Sequence, residues 1–337
     1  MQGRVEHKIH IENNINEILS NMPDYVTKYY YNISVDKEPM SCIIYLRQIR
    51  QLFYFLFGKN KITNQDIMQI SENDISKYFH SIEIIVDKEG NKKESSFAHR
   101  KGTWSALNSF FTYLKRNKYI NENPMETISY PKNKDEVKHV LLDTMDLNLI
   151  INSVKNGVGT TNQLVREETW GERDMLIIVM LMTTGMRETA LTEINVSDMN
   201  FETMTFSVID KRHKVHEYTI NSAIEKALKE WLPKREELLN GKKEDALFIS
   251  IYRTRITAQA ISNITQKYTK VALGKALSPH KFRAAFCSIL YEQKGDVEYV
   301  RDAVGHSSIE TTKRYIVKKR SARKEAENFM ANNLNIV

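Results

Sequence analysis

Two arginines, two histidines, a tyrosine and a pair of lysines stand in this chain at spacings that local structural rules can interpret. The first pattern runs from Thr183 through Thr184, Gly185, Met186, Arg187, Glu188 and Thr189 to Ala190 and Leu191. Eight apolar residues from Met175 to Met182 precede it and predict a buried helix that ends near Gly185, a residue suited to a left-handed C-terminal cap. Arg187 then falls in the turn just beyond, where an arginine can also do no more than bind the last helical carbonyls. The second pattern is Ser278-Pro279-His280-Lys281-Phe282-Arg283. Ser278 is a good N-cap and Pro279 fits the first turn, so His280 and Arg283 share one helix face at a helix N-terminus, where anions are favoured. Phe282, Phe286, Ile289 and Leu290 mark the adjacent face as core. In the third pattern, Gly305 closes a helix, and Ser307 with Glu310 predicts a capping box for the next. His306 lies in the turn between them and Tyr315 two turns into the new helix. One tyrosine among 16 is, taken alone, a packing or interface residue. The fourth pattern is a basic turn, Asp210 to Lys214, holding Lys211 and Lys214, and isolated basic turns are often simply solvated.

These residues need elements to hold them. Met204 to Ile209 alternates apolar and polar residues as a half-buried strand does, and Val215 to Ile220 can return beside it, leaving the basic turn as the connection. Ser222 with Glu225 predicts a capping box for a helix carrying Ile224, Leu228 and Trp231. Upstream, Asp143 or Thr144 caps a new helix after the segment Asn121 to His139, which has two prolines, many charges and no apolar period and reads as a linker. The first third of the chain is helical. A helix over Ser41 to Phe57 sets Ile44, Leu52, Phe55 and Leu56 towards the core and Arg47 and Arg50 towards water. A second covers Ser71 to Ile85. A third, from Ser96 to Lys118, repeats Trp104, Leu107, Phe111 and Leu114 at helical spacing, with Lys92, Lys93, Arg100 and Lys101 before or at its start. Such cations are usually a solvated face, and they become DNA-facing candidates only if the rest of the chain binds DNA.

Composition narrows the classes. A chain of 337 residues has room for two domains, and 41% hydrophobic content is that of a globular protein. The net charge of +7 and a pI near 9.1 suit a partner carrying phosphates. Cys42 and Cys287 are the only cysteines, which excludes a disulfide framework and a metal cluster built on paired cysteines. No apolar run approaches the roughly 18–20 residues needed to cross a bilayer, and the polar start MQGRVEHKIHIENN lacks the apolar core of a signal peptide. A reducing cytoplasm is the expected compartment, with no membrane involved.

Taken together, the four patterns resemble the tyrosine recombinase (phage integrase) family over nearly the whole chain. That family shows an arginine after T-G-x, a lysine in a β-hairpin, H-x-x-R, and then G-H-x-x-x-x-T-T-x-x-Y. Here these fall on Arg187, Lys211, His280 with Arg283, and Gly305-His306 through Thr311-Thr312 to Tyr315, in the family's order. Asn123-Pro124 is similar to the N-P that closes the family's first domain. The resemblance implies a mainly α fold with a small β-sheet. A helical core-binding, SAM-like DNA-binding domain (residues 1–125) and a linker (126–139) would precede an α+β catalytic domain (140–320). In the tail (321–337), Ala326, Phe329, Met330 and Leu334 form a narrow apolar stripe suited to docking on a neighbouring subunit. One departure stands out. The family carries an acidic residue three positions after its first arginine, where this chain has Ala190, so the change bears on the efficiency of the site rather than on its chemistry.

The residue types fit the implied reaction. A tyrosine hydroxyl has a pKa near 10, so attack on a phosphodiester needs its proton removed and the transition-state charge spread. Arg187 and Arg283 can clamp nonbridging oxygens with planar donors. His306 can donate to the same phosphate, His280 can accept the proton of Tyr315, and Lys211, favoured over Lys214, can protonate the departing 5′-oxygen. With arginines supplying positive charge, neither a metal nor a cofactor is required. The expected partners are double-stranded recombination sites, with a homotetramer on two sites and a monomer or weak oligomer without DNA. Two other readings compete: a monomeric type IB topoisomerase, and a non-catalytic DNA-binding protein on a recombinase scaffold.

Overall fold

A computed structural model describes residues 2–58, 64–86, 90–132, 141–158, 161–210, 214–305 and 308–313. The chain divides into two compact units, Met1–Val137 and Lys138–Val337.

In the first unit, helices α1 (Gln2–Leu19), α2 (Asp24–Ser34), α3 (Pro39–Phe57), α4 (Asn64–Met68), α5 (Glu72–Ser81) and α6 (Phe97–Arg116) are joined by a ribbon of two antiparallel strands, β1 (Ile84–Val86) and β2 (Lys92–Glu94). Tyr25, Tyr29, Phe53, Phe110 and Phe111 fill the centre of its core, and Tyr29 meets Phe110 edge to face at 5.2 Å. The buried face of α3 is Cys42, Ile43, Leu46, Ile49, Leu52 and Phe53. The expected apolar face therefore needs correcting: Ile44 and Phe55 are 48% and 45% exposed. Leu52 is buried and Leu56 packs against the core as expected, but apolar residues occupy both sides of this helix, so apolar period alone does not separate Ile44 and Phe55 from the buried face. Helix α5 is also shorter than expected, because Ile84 and Ile85 leave it for β1; β-branched residues fit a pleated ribbon better than a helix end. After α6 the chain packs back on that helix. Trp104 Nε1 donates to the Ile128 carbonyl at 2.9 Å, Met125 is buried, and the Asn123 side chain accepts from the Met125 amide at 2.9 Å.

The second unit contains α7 (Thr144–Asn156), α8 (Thr161–Thr184), α9 (Glu188–Thr192), a three-stranded antiparallel sheet, α10 (Ser222–Leu239), α11 (Ala258–Leu273), α12 (Pro279–Lys294), α13 (Val297–Val304) and α14 (Ile309–Lys313). The sheet has the order β3 (Met199–Asn200), β4 (Thr205–Asp210), β5 (Lys214–Thr219). Residues Leu176 to Leu181 of α8 are buried without interruption, as expected of a helix surrounded on all sides, and α7, α10 and α12 pack against it. A buried polar cluster fixes its middle. Arg173 Nη1 donates to the Ile249 carbonyl at 2.9 Å, while Asp174 accepts from Arg173, from the Tyr268 hydroxyl at 3.0 Å and from Lys267 at 3.2 Å. Asp143 and Asp146 form a capping box at the start of α7. Before α10 the expected cap shifts by one residue: Asn221, not Ser222, accepts the amides of Ala223 and Ile224. Cys42 and Cys287 are both free and buried, one in each unit.

Candidate active site

Helix α8 ends in two threonines that turn back on it. Thr183 Oγ1 donates to the Val179 carbonyl at 2.9 Å and Thr184 Oγ1 to that of Met180 at 2.6 Å. The Thr184 hydroxyl also accepts the Met186 amide at 3.2 Å, so the turn is satisfied by its own side chain. Gly185 takes a φ of +61°, and a Cβ added there would sit 2.6 Å from Phe286 Cδ1. Both the backbone sign and the packing therefore require glycine. The chain leaves this turn with Arg187 in an extended conformation at the N-cap of α9 (φ −77°, ψ 149°). The far end of α9 is held by Arg255, whose Nη1 donates to the Thr192 carbonyl at 2.6 Å.

Helix α12 faces this turn. Pro279 occupies its first turn, and Ser278 stands at the N-cap without a side-chain capping bond. Arg283 is 2% exposed. Its Nη1 donates to the Gly185 carbonyl at 2.6 Å and its Nη2 to the Val304 carbonyl at 2.7 Å. One guanidinium thus joins the end of α8 to the end of α13. A guanidinium is a planar fork of N–H donors, so these two carbonyl bonds fix its plane. His280 lies one turn earlier and is open to solvent. Partial desolvation lowers its pKa from 6.5, and the positive charges of Arg283, Lys281 and Arg187 lower it further. The shift favours the neutral imidazole, the form that can accept a proton.

Helix α13 closes at Gly305 (φ 65°, ψ 39°), whose amide returns to the carbonyls of Arg301 and Asp302. The Ser308 hydroxyl accepts the Thr311 amide at 3.3 Å at the start of α14, and Thr312 is fully buried. The expected cap at Ser307 lies outside the described residues, and among those described the capping bond comes from Ser308. Lys211, His306, Tyr315 and the tail from 314 onwards also lie outside the described residues.

The structure therefore gathers Arg187, His280 and Arg283 at one junction of α8, α9, α12 and α13. Ala190, at the position where the resemblance implies an acid, is buried in the main core. Burial raises the carboxyl pKa of neighbouring Glu188 above its ordinary value. A residue that the motifs miss is His216 on β5, whose ring lies against Gly305. The available signal was strand alternation: Val215 and Glu217 are exposed, while His216 and Tyr218 turn inward.

The N-terminal cations are placed differently. Arg47 on α3, Lys92 and Lys93 on β2 and Lys101 on α6 are exposed, and Arg50 lies 6.0 Å from the Tyr54 ring centre. Arg100 Nη1 donates to the Ser95 carbonyl at 2.5 Å and meets Glu94 at 3.2 Å. These bonds fasten the ribbon to α6.

Comparison with known proteins bears on the whole arrangement. The family model described as the phage integrase family matches residues 147–321, just over half the chain. The tyrosine recombinase XerC of Anoxybacillus flavithermus is 24% identical over 291 residues, which cover 85% of this chain and 89% of that protein. Among solved structures, the Tn1549 transposon integrase in complex with transposon right end DNA superposes with a TM-score of 0.64 at 18% identity, covering 90% of this chain and 98% of that one. A lambda integrase tetramer bound to a Holliday junction gives 0.61 at 15% identity, covering 87% and 76%. At such identities the two structural likenesses establish the fold.

Proposed function

The chain belongs to the phage integrase family of tyrosine site-specific recombinases, and we propose that it cuts and rejoins DNA through a covalent bond at Tyr315. The meeting of Arg187, His280 and Arg283 at one junction, inside the matched segment, is the observation that supports this reading. In it, Arg187 and Arg283 bind the nonbridging oxygens of the scissile phosphate and hold its developing charge. His280, whose pKa is lowered by partial burial and then by the cations around it, takes the proton of Tyr315 as the phenolic oxygen attacks phosphorus. His306 donates to the same phosphate. The P–O5′ bond breaks, and the departing oxygen takes a proton from Lys211. The product is a 3′-phosphotyrosyl enzyme with a free 5′-hydroxyl, and the reverse attack by a 5′-hydroxyl of the partner duplex completes exchange.

Residues 1–125 bind the duplex in this reading, with Arg47, Arg50, Lys92, Lys93, Arg100 and Lys101 as candidate phosphate contacts. No described helix is long and apolar enough to cross a membrane, and we place the protein in the cytoplasm with the DNA it acts on. The likeness to a lambda integrase tetramer on a Holliday junction supports a homotetramer on two sites. The deciding experiment uses a nicked suicide substrate and denaturing gels. The wild-type protein should form a covalent adduct, and Tyr315→Phe should bind the site without forming one. An undiminished adduct in that variant would overturn the assignment of Tyr315.

A further inference from the structure

The hairpin β4–β5 and the turn at Gly305 are 89 residues apart in sequence at their point of contact, yet one side chain joins them. A Cβ built on Gly305 would meet His216 Cε1 at 2.7 Å, Nδ1 at 3.2 Å and Nε2 at 3.4 Å. The imidazole edge therefore occupies the space that any other residue at 305 would need. The hairpin is registered by antiparallel pairs, with His216 opposite Val208 and Lys214 opposite Asp210. In sequence only residues 211–213 separate the two strands, and the pairs Val215–Ile209 and Lys214–Asp210 lie between His216 and the strand ends. On the other side of the contact, Gly305 precedes His306 directly, and the Val304 carbonyl is held by Arg283 at 2.7 Å. The end of α13 is thus gripped twice: by Arg283 on a carbonyl and by His216 on the α-carbon.

We propose that His216 is a positioning residue for the cleavage reaction, setting the β4–β5 hairpin, and with it the general-acid lysine, against the turn that leads to His306. This rests on the recombinase reading above. A histidine suits the role because its side chain has only two rotatable bonds and ends in a flat, stiff ring. A ring edge against a glycine α-carbon fixes distance closely, since a void of even 1 Å forfeits much of the contact energy. It also explains why position 305 demands glycine beyond its φ of +65°: the helix end is shaped to admit the ring.

The test compares two substrates, an ordinary suicide substrate and one with sulfur in the 5′-bridging position, which leaves without needing a general acid. His216→Ala should bind single sites as the wild type does and cleave the oxygen substrate about 10- to 100-fold more slowly, the scale expected for a displacement near 1 Å. On the sulfur substrate most of that loss should vanish, as it should for Lys211→Ala measured alongside. His216→Phe, which keeps a flat ring, should stay within roughly threefold of wild type. If His216→Ala proves too unstable, His216→Gln provides the same comparison with a flexible side chain in place of the ring. Wild-type cleavage of the oxygen substrate by folded His216→Ala would overturn the proposal, and so would an equal loss on both substrates. Absence of any Tyr315-dependent adduct from the wild-type protein would instead sink the recombinase reading itself.

Discussion

Arginine serves differently in the two units. Around Arg283, a buried guanidinium reaches across 98 residues to Gly185 and across 21 to Val304, tying together helix ends that only the finished fold brings near. In the N-terminal unit, Arg100 reaches back five residues to Ser95 and six to Glu94, and its neighbours Lys92, Lys93 and Lys101 remain in water. A cation at the junction is part of the architecture; a cation on the N-terminal unit rides on it. The difference teaches that the charge of Arg283 cannot be removed without disturbing the frame, whereas the exposed charges on the proposed duplex-binding surface can.

The largest test of that contrast is Arg283→Ala, which strands two buried carbonyls. Each lost partner costs about 1–3 kcal/mol, so unfolding in urea should shift by roughly 3 kcal/mol while cleavage disappears. Arg283→Lys should recover part of the stability through one carbonyl and little of the cleavage, because a single ammonium cannot reproduce the planar fork. A wild-type urea midpoint for the alanine variant would break the comparison outright.

An intermediate effect is expected at His280. Its pKa is lowered from 6.5, so the accepting, neutral form persists into mildly acid solution and is lost only as pH falls further. Single-turnover cleavage should therefore decline on the acid side with a midpoint below the ordinary histidine value. Removing a neighbouring cation with Arg187→Gln should move the His280 titration upward, as followed by NMR of the imidazole Cε1 proton. A downward move or none would show that Arg187 does not face this ring.

The smallest effects belong to the ribbon. Lys92→Ala and Lys93→Ala should each leave stability within about 0.5 kcal/mol. Each should flatten the dependence of log affinity on log salt by about 0.9 if the residue contacts one phosphate. Titrations at several salt concentrations check this, and an unchanged slope would remove the ribbon from the DNA interface.

Local signals were readable in the sequence because their causes are local. The Asp143 cap stands where expected, and so do the glycine ends at 185 and 305. The differences have local causes as well: Asn221 takes the cap from Ser222, and α3 carries Ile44 and Phe55 outside its buried face. Ile84 and Ile85, the start of the short strand Ile84–Val86, read as the end of a helix because so few residues give too little period to distinguish strand from helix. What spacing could not convey was the company that side chains keep across the fold. The H-x-x-R motif placed His280 and Arg283 on one face but held no sign that two distant carbonyls waited for the guanidinium. Nor could a histidine on β5 be recognised as the neighbour of Gly305 before the hairpin and α13 were brought together.

The placement of the two cysteines gives the molecule an internal means of reporting its own opening. Cys42 lies in the core of one unit and Cys287 beneath α13 in the other, and both are 0% exposed. Burial raises both thiol pKa values, that of Cys287 to about 11, so the reactive thiolate is scarce as well as shielded. A thiol reagent can reach either sulfur only when its surroundings transiently part, and the modification rate then follows the population of that opened state. With one site in each unit, the two rates measure two separate opening equilibria in a single unmodified chain. Addition of a DNA duplex during such labelling would reveal which unit the duplex holds shut, without a probe being introduced.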